Sequence, residues 1–267
     1  MHIKNQQLLE FLNEQRNLAD YNIEAGMHDG FAYSLVPVIV PKANCKWDIE
    51  WMEWGFLPPY LFNRAAVEQF RRGGYDDKGK YRPPITTLNA IGEELLQVDP
   101  VTNRPKMYRD AALQRRCLFI STGFFEWRHI YPVGKKGKPL KTAIKYPYHI
   151  GTISDEIHFT AGIWQPWTDK STGETINTCA LVTTAANPLM EQIHNVKRRM
   201  PTILTRELAG EWISENLSEE RITTLASFQY PAEQMEAYPV SKDFKTALDP
   251  LSRFDYGVEL PALAESV

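Results

Sequence analysis

The chain has 267 residues, 43 % hydrophobic and 24 % charged, with a formal net charge of −3. These are the proportions of an ordinary globular protein, and they exclude a disordered or collagen-like chain. A chain this long buries about 70–75 % of its unfolded surface, and its slight acidity excludes a bulk polycation, so a nucleic-acid partner needs a local basic patch.

Leu8, Leu9, Phe11, Leu12 and Leu18 recur at helical spacing and predict an opening helix. No apolar run of signal-peptide type precedes it, and the longest apolar stretches, such as residues 35–41, are too short to cross a bilayer. A soluble, cytoplasmic protein is expected. Residues 34–40 are β-branched and predict a strand. Residues 47–51 alternate apolar and acidic, the pattern of a half-buried strand. Asn63 caps a short helix that Gly73 and Gly74 stop, and residues 73–84 read as loop.

Residues 117–120 read as a buried strand running into Gly123-Phe124-Phe125-Glu126-Trp127. A basic hairpin loop or arm follows over residues 131–145. Strands are predicted at 146–150, 158–164 and 178–184. Asn187-Pro188 opens a helix that delivers His194, and capped helices follow over 205–217 and 218–228. The tail after Tyr256 is expected at the periphery. Strands come in runs without strict βαβ alternation. The expectation is one α+β domain over residues 1–267, on antiparallel or mixed β-sheets curling toward a partly closed barrel, with flanking helices.

Cys45, Cys117 and Cys179 are odd in number and form no CxxC pair, which argues against a disulfide framework or a structural zinc site and fits a reduced compartment. Three buried small apolar residues is the plain reading. A cysteine hydrolase using Cys117 or Cys179 with His194 is the competing one, and their apolar strand surroundings argue against it.

Glu126 is the first candidate for chemistry. An acid flanked by aromatic rings loses hydration, which raises its pKa and suits it to proton transfer near neutrality; the plainer reading is a strand-end glutamate facing solvent. His194 stands beside Lys197, Arg198 and Arg199, charges that favour a neutral imidazole and could hold phosphates; the plainer reading is a solvated basic loop. Asn89 and Glu93 share a segment that reads equally as a turn. Trp54, Phe56, Tyr60 and Trp127 offer faces on which unpaired bases could stack, although most of the aromatic rings must be core.

Taken in order, Trp54-Gly55-Phe56 with Pro58, Leu88-Asn89-Ala90 with Glu93, the segment from Cys117 through Trp127, Ala161-Gly162-Ile163-Trp164, residues 181–187, His194, Arg198-Arg199-Met200-Pro201 and Tyr238-Pro239-Val240-Ser241 resemble the SRAP family of SOS-response-associated peptidases, or abasic-site processing proteins. The resemblance covers about residues 50–245. It implies recognition of abasic sites in single-stranded DNA by a cysteine at position 2, exposed when Met1 is removed. The α-amine forms a Schiff base with the ring-opened sugar, and the thiol closes a thiazolidine crosslink. The same cysteine is held to release its own N-terminal peptide.

By the same resemblance Asn89 orients the N-terminal residue, Glu126 is the general acid or base, and His194 assists proton transfer near the deoxyribose. DNA contacts fall to Trp54, Tyr60, Arg82, Glu93, Trp127, Arg198 and Arg199. No metal, cofactor or membrane partner is implied, and a monomer that joins the nucleoid when bound to DNA is expected. The sequence departs from the pattern at two places. Ile91 stands where many members carry an arginine, and position 2 is His2. Either native residues precede this numbering, which a helical pattern starting near Leu8 favours, or the chain is a paralogue that binds damaged single strands without covalent capture.

Overall fold

The computed structural model describes residues 26–42, 46–76, 78–154, 157–258 and 260–263. His2, Cys45 and the expected opening helix over residues 8–18 lie outside the described residues.

β1 (Leu35–Lys42) and β2 (Lys46–Trp54) pair antiparallel, from Leu35 opposite Glu53 to Lys42 opposite Lys46. β6 (Arg116–Ser121), β9 (His158–Thr168) and β10 (Thr175–Ala185) complete a ring in the order β10-β2-β1-β6-β9 and back to β10. The closing pair β2–β10 is parallel, with Thr178 opposite Glu53 and Cys179 opposite Trp54. The mixed sheet is thus a closed five-stranded barrel, and closure leaves these strands without free edges. β5 (Asn89–Ile91) runs parallel to β10, while β11 (Arg199–Pro201) and β12 (Ile203–Leu204) extend the sheet on β10 and β9.

Alternation along the strands sorts the core into two faces. Val36, Val38, Val40, Met52, Cys117, Phe119 and Cys179 form one buried cluster. Gly162 lies among them because a Cβ there would stand 2.7 Å from the Phe119 ring. Ile39, Leu118, Ile163 and Val182 face the other way, against the helices α2 (Arg109–Gln114), α4 (Arg206–Trp212) and α5 (Glu219–Ala226). Trp212 is fully buried there and its indole N–H donates to the carbonyls of Cys117 and Gly162 at 3.1 and 3.2 Å. A cavity left by truncating such a side chain typically costs about 3–5 kcal/mol. The buried Arg116 guanidinium donates to the carbonyls of Ala112, Leu113, Trp212 and Ser214, placing a cation where two helix ends present carbonyl oxygens.

A second layer is the antiparallel sheet β13-β8-β7, made of β13 (Met235–Pro239), β8 (Ile144–Thr152) and β7 (Phe124–Ile130). It packs on α3 (Pro188–Ile193) through Tyr148, Ile150, Met190 and Ile193. In the tail after Tyr256, the half-buried Leu260 and Leu263 pack on this core, and the buried Arg128 donates to the Pro261 carbonyl at 2.7 Å. With no acid among its hydrogen-bond partners in the described residues, that guanidinium uses the tail's backbone as an acceptor.

Caps read from the sequence are in place. Asn63 accepts from the Ala66 amide at the start of α1 (Arg64–Arg72), Asn187 from Met190, Thr205 from Leu208 and Ser218 from Arg221. The stretch 73–84, expected as loop, carries a two-stranded ribbon of β3 (Gly74–Tyr75) and β4 (Tyr81–Arg82). The helix expected over 205–217 ends at Trp212.

Candidate active site

Glu126 lies in β7, which is an edge of its sheet. The exposed flank of that strand is held by the residue after His194. The Asn195 side chain accepts from the His129 amide at 3.2 Å and donates to the His129 carbonyl at 2.8 Å, as a neighbouring strand would. His194 caps the C-terminal end of α3, its amide on the Met190 carbonyl at 2.8 Å. Its Nδ1 lies 2.7 Å from the Arg199 carbonyl oxygen. A carbonyl can only accept, so Nδ1 carries the proton, and in the neutral ring Nε2 presents its lone pair. That Nε2 stands 3.8 Å from Glu126 Oε1.

Burial pushes the Glu126 carboxyl above its ordinary value, against the opposing charges of His194 and Lys197. The Glu126 carboxyl, pushed toward its protonated form, thus faces an imidazole nitrogen across 3.8 Å. They open on a cleft of about 470 Å3 lined also by Trp127, His129, Lys145 and Lys197. The cleft combines a proton donor, a base, two ammonium groups and one partly exposed indole.

The support beneath His194 comes from Glu93 and Arg199. The Arg199 guanidinium donates to both Glu93 carboxylate oxygens, at 3.0 and 2.8 Å, and the Ala185 amide adds a third bond at 3.0 Å. Burial raises the Glu93 carboxyl, but the Arg199 hydrogen bond and charge, with the Ala185 amide, outweigh it and hold the group below the usual carboxylate range. Gly92 allows this placement, because a Cβ there would lie 2.1 Å from the Ala226 carbonyl oxygen. Gly123 does the same ahead of Glu126. A Cβ at Gly123 would stand 2.1 Å from His149 Nε2, so the turn from β6 to β7 packs flat on a buried imidazole. Burial lowers His149 and His158 to about 4 each.

The other sequence candidates are spread over the surface. Asn89 is exposed at the start of β5, opposite Leu181, and does not line the cleft. The Trp54 indole donates to the Leu88 carbonyl at 2.9 Å with its ring against Phe119, and Phe56 is fully buried against Tyr108, so these two rings are packing elements. Tyr60 is exposed, and Trp127 is exposed at the cleft wall. Arg82 pairs with Asp76 on the β3–β4 ribbon. Arg198 is exposed in the left-handed region at φ 51° beside the cleft loop.

Burial pushes the Cys117 and Cys179 thiols far up, which removes them as nucleophiles and with them the cysteine-hydrolase reading. Sequence reasoning did not assign Asn195 or Gly123; the one signal was their position, directly beside His194 and three residues before Glu126. Among the described residues no group of three or more His, Cys, Asp or Glu could hold a metal ion, and no helix is long and apolar enough to cross a membrane.

This geometry is accompanied by clear relatives. The abasic site processing protein YoqW of Bacillus subtilis strain 168 is 28 % identical over 233 residues, covering 85 % of this chain and 86 % of its own length. The abasic site processing protein YoaM of the same organism is 30 % identical over 176 residues, covering 63 % of this chain and 70 % of its own. A crystal structure of a Bacteroides thetaiotaomicron protein superposes with a TM-score of 0.73 at 27 % identity, covering 95 % of this chain and 97 % of that one. The family model for SOS response associated peptidases matches residues 2–247. With nearly the whole chain matched, the protein belongs to the SRAP family.

Proposed function

We propose that the Glu126–His194 cleft receives the ring-opened sugar of an abasic site in single-stranded DNA and manages the protons while an amine captures its aldehyde. The observation that carries this reading is the pair itself: an acid raised by burial, facing an imidazole whose tautomer is set by the Arg199 carbonyl. An α-amine, ordinarily about pKa 7.7–8.0, has a useful free-base fraction near neutrality. Its nitrogen attacks the aldehyde carbon, and the resulting carbinolamine loses its hydroxyl as water once Glu126 supplies a proton. The C=N bond forms as that C–O bond breaks, and His194 takes the proton released from nitrogen.

Covalent capture as a thiazolidine adds a thiol across the C=N bond, and needs amine and thiol on one residue. An N-terminal cysteine on the mature protein supplies both, and self-release of an N-terminal peptide uses the same pair. Lys197 and Arg198 hold flanking phosphates, Tyr60 and Trp127 give stacking faces, and Arg199 and Glu93 act by positioning the His194 loop. Because position 2 of the numbered sequence is His2, a second reading stands beside it, in which the same groove holds damaged single strands without a covalent bond.

A single experiment separates them. The full-length gene product is mixed with a single strand carrying one abasic site and run on a denaturing gel, with intact-mass analysis of the mature N-terminus. A heat-stable shifted band and an N-terminal cysteine support capture. Retained binding without the band leaves the non-covalent reading, and absence of binding removes both.

A further inference from the structure

The hairpin joining β7 to β8 carries a charge pattern that the cleft does not absorb. From residue 127 to residue 154 the sequence contains no Asp or Glu, while Lys135, Lys136, Lys138, Lys141 and Lys145 all fall in its outer part. All five are exposed, and none forms an ion pair among the described residues. The arm is folded, not loose. Val133 bridges Pro139, the Leu140 amide donates to the Pro132 carbonyl at 2.8 Å, and the Gly134 amide donates to Lys138 at 2.9 Å. The Gly137 amide closes a turn on the Gly134 carbonyl at 2.9 Å with φ +71°, so Lys135 and Lys136 sit side by side at a fixed apex.

Lys145 is the inner end of this series and lines the cleft beside Glu126. Lys141, Lys138 and then the apex lead away from it. Nine residues separate Lys145 from Lys136, a reach of at most about 30 Å. The cations thus form a line continuous with the site, on a chain whose overall charge is negative. A line of ammonium groups with exposed Tyr131 among them matches an extended polyanion with unpaired bases.

The geometry points to the β7–β8 arm as a second DNA site, which holds the phosphates of the single strand where it leaves the Glu126–His194 cleft. This rests on the proposed function, and it adds a length requirement: DNA that reaches the arm binds more tightly than DNA that fills the cleft alone. Lysines act here as point charges, so the contact is independent of base sequence.

The test compares the parent with a Lys135→Gln, Lys136→Gln, Lys138→Gln, Lys141→Gln variant, on abasic single strands of about 6 and about 20 nucleotides, across a salt series. The expected result is a loss of about tenfold or more on the long strand, a much smaller loss on the short one, and a salt slope for the long strand lower by about 2–3. Equal losses on both lengths, or no loss, overturn the arm's role while leaving the cleft reading intact. On a third probe, the short strand extended by a duplex flank, a loss larger than on the long single strand overturns the single-strand assignment. If the parent binds neither strand, the functional reading itself fails, which is a separate outcome. Melting temperatures of the two proteins should agree, since every substituted side chain is exposed.

Discussion

The side-chain amide of Asn195 binds both backbone groups of His129, donating to its carbonyl at 2.8 Å and accepting from its amide at 3.2 Å. This couples the loop that carries His194 to the strand that carries Glu126. Asn195→Ala leaves that backbone pair to solvent and frees the loop. We expect aldehyde capture to slow by about tenfold with stability reduced by about 1–2 kcal/mol. Asn195→Asp, which can accept but not donate when ionised, should fall between. Single-turnover rates alongside urea titrations check this, and equal rates for the alanine variant and parent would remove Asn195 as a positioning residue.

Glu126→Gln should slow imine formation by about a hundredfold or more, the usual scale for a lost general acid. Its stability should match or exceed the parent's at neutral pH. A carboxyl raised by burial favours the folded state only while protonated, so its contribution is lost as pH rises through the raised value. Glutamine is neutral throughout and escapes that loss. The parent's rate should also fall on the alkaline side as Glu126 ionises, a limb the glutamine variant lacks. A pH–rate profile with borohydride trapping of the imine reads both effects.

Two adjacent arginines should separate cleanly. Arg199→Lys breaks the two-bond grip on Glu93 and should cost about 1–3 kcal/mol, with the salt dependence of DNA binding unchanged. Arg198→Gln should leave stability within about 0.5 kcal/mol and lower the salt slope by about 0.7. The reverse assignment of effects would place Arg199 on the DNA and Arg198 in the scaffold.

Acid should unfold the protein through its buried imidazoles. His149 and His158 are held to about 4, below the unfolded value near 6.5. Their unfolded forms bind more protons between those limits, so stability is full above about 6.5 and declines as pH falls toward 4, by up to about 3 kcal/mol for each. Thermal melts from pH 7 to pH 4 test this, and replacing His158 with Gln should flatten the decline.

Gly123→Ala tests the turn ahead of Glu126. A methyl group there meets His149 Nε2 at 2.1 Å, far inside contact distance, so β7 must shift. Capture should slow about as much as for Asn195→Ala, and relief by a compensating His149→Ala change would localise the cause. A Gly123→Ala protein with parental rate and stability would show that the turn has slack.

Much of the barrel was legible because local pattern and final environment agree. β1, β6, β9 and β10 are β-branched or aromatic runs, and Asn63, Asn187, Thr205 and Ser218 cap the helices they announce. Glu126 and His194 stood out because each lies in a distinctive segment, one among aromatic rings and the other among cations. The parallel closure of β2 on β10 was not legible, since it joins residues more than a hundred positions apart and no local preference encodes it. Nor was the Glu93–Arg199 pair, whose members are 106 positions apart and were each expected as a DNA contact. Short elements such as α2 and β5 have too few residues for a periodicity and are fixed by what they pack against. Trp54 and Phe56 show the converse limit: a ring that packs and a ring that stacks on a base have the same sequence.

Glu126 and His194 belong to different segments, one to the three-stranded sheet and the other to the connection between barrel strand β10 and its neighbour β11. The two side chains face each other only while those segments stay docked. The proposed aldehyde capture therefore depends on the seam more than on either sheet, and warming should abolish it before spectroscopic melting begins. A substitution at the seam, far from both side chains, should therefore disturb their pairing as surely as one beside them.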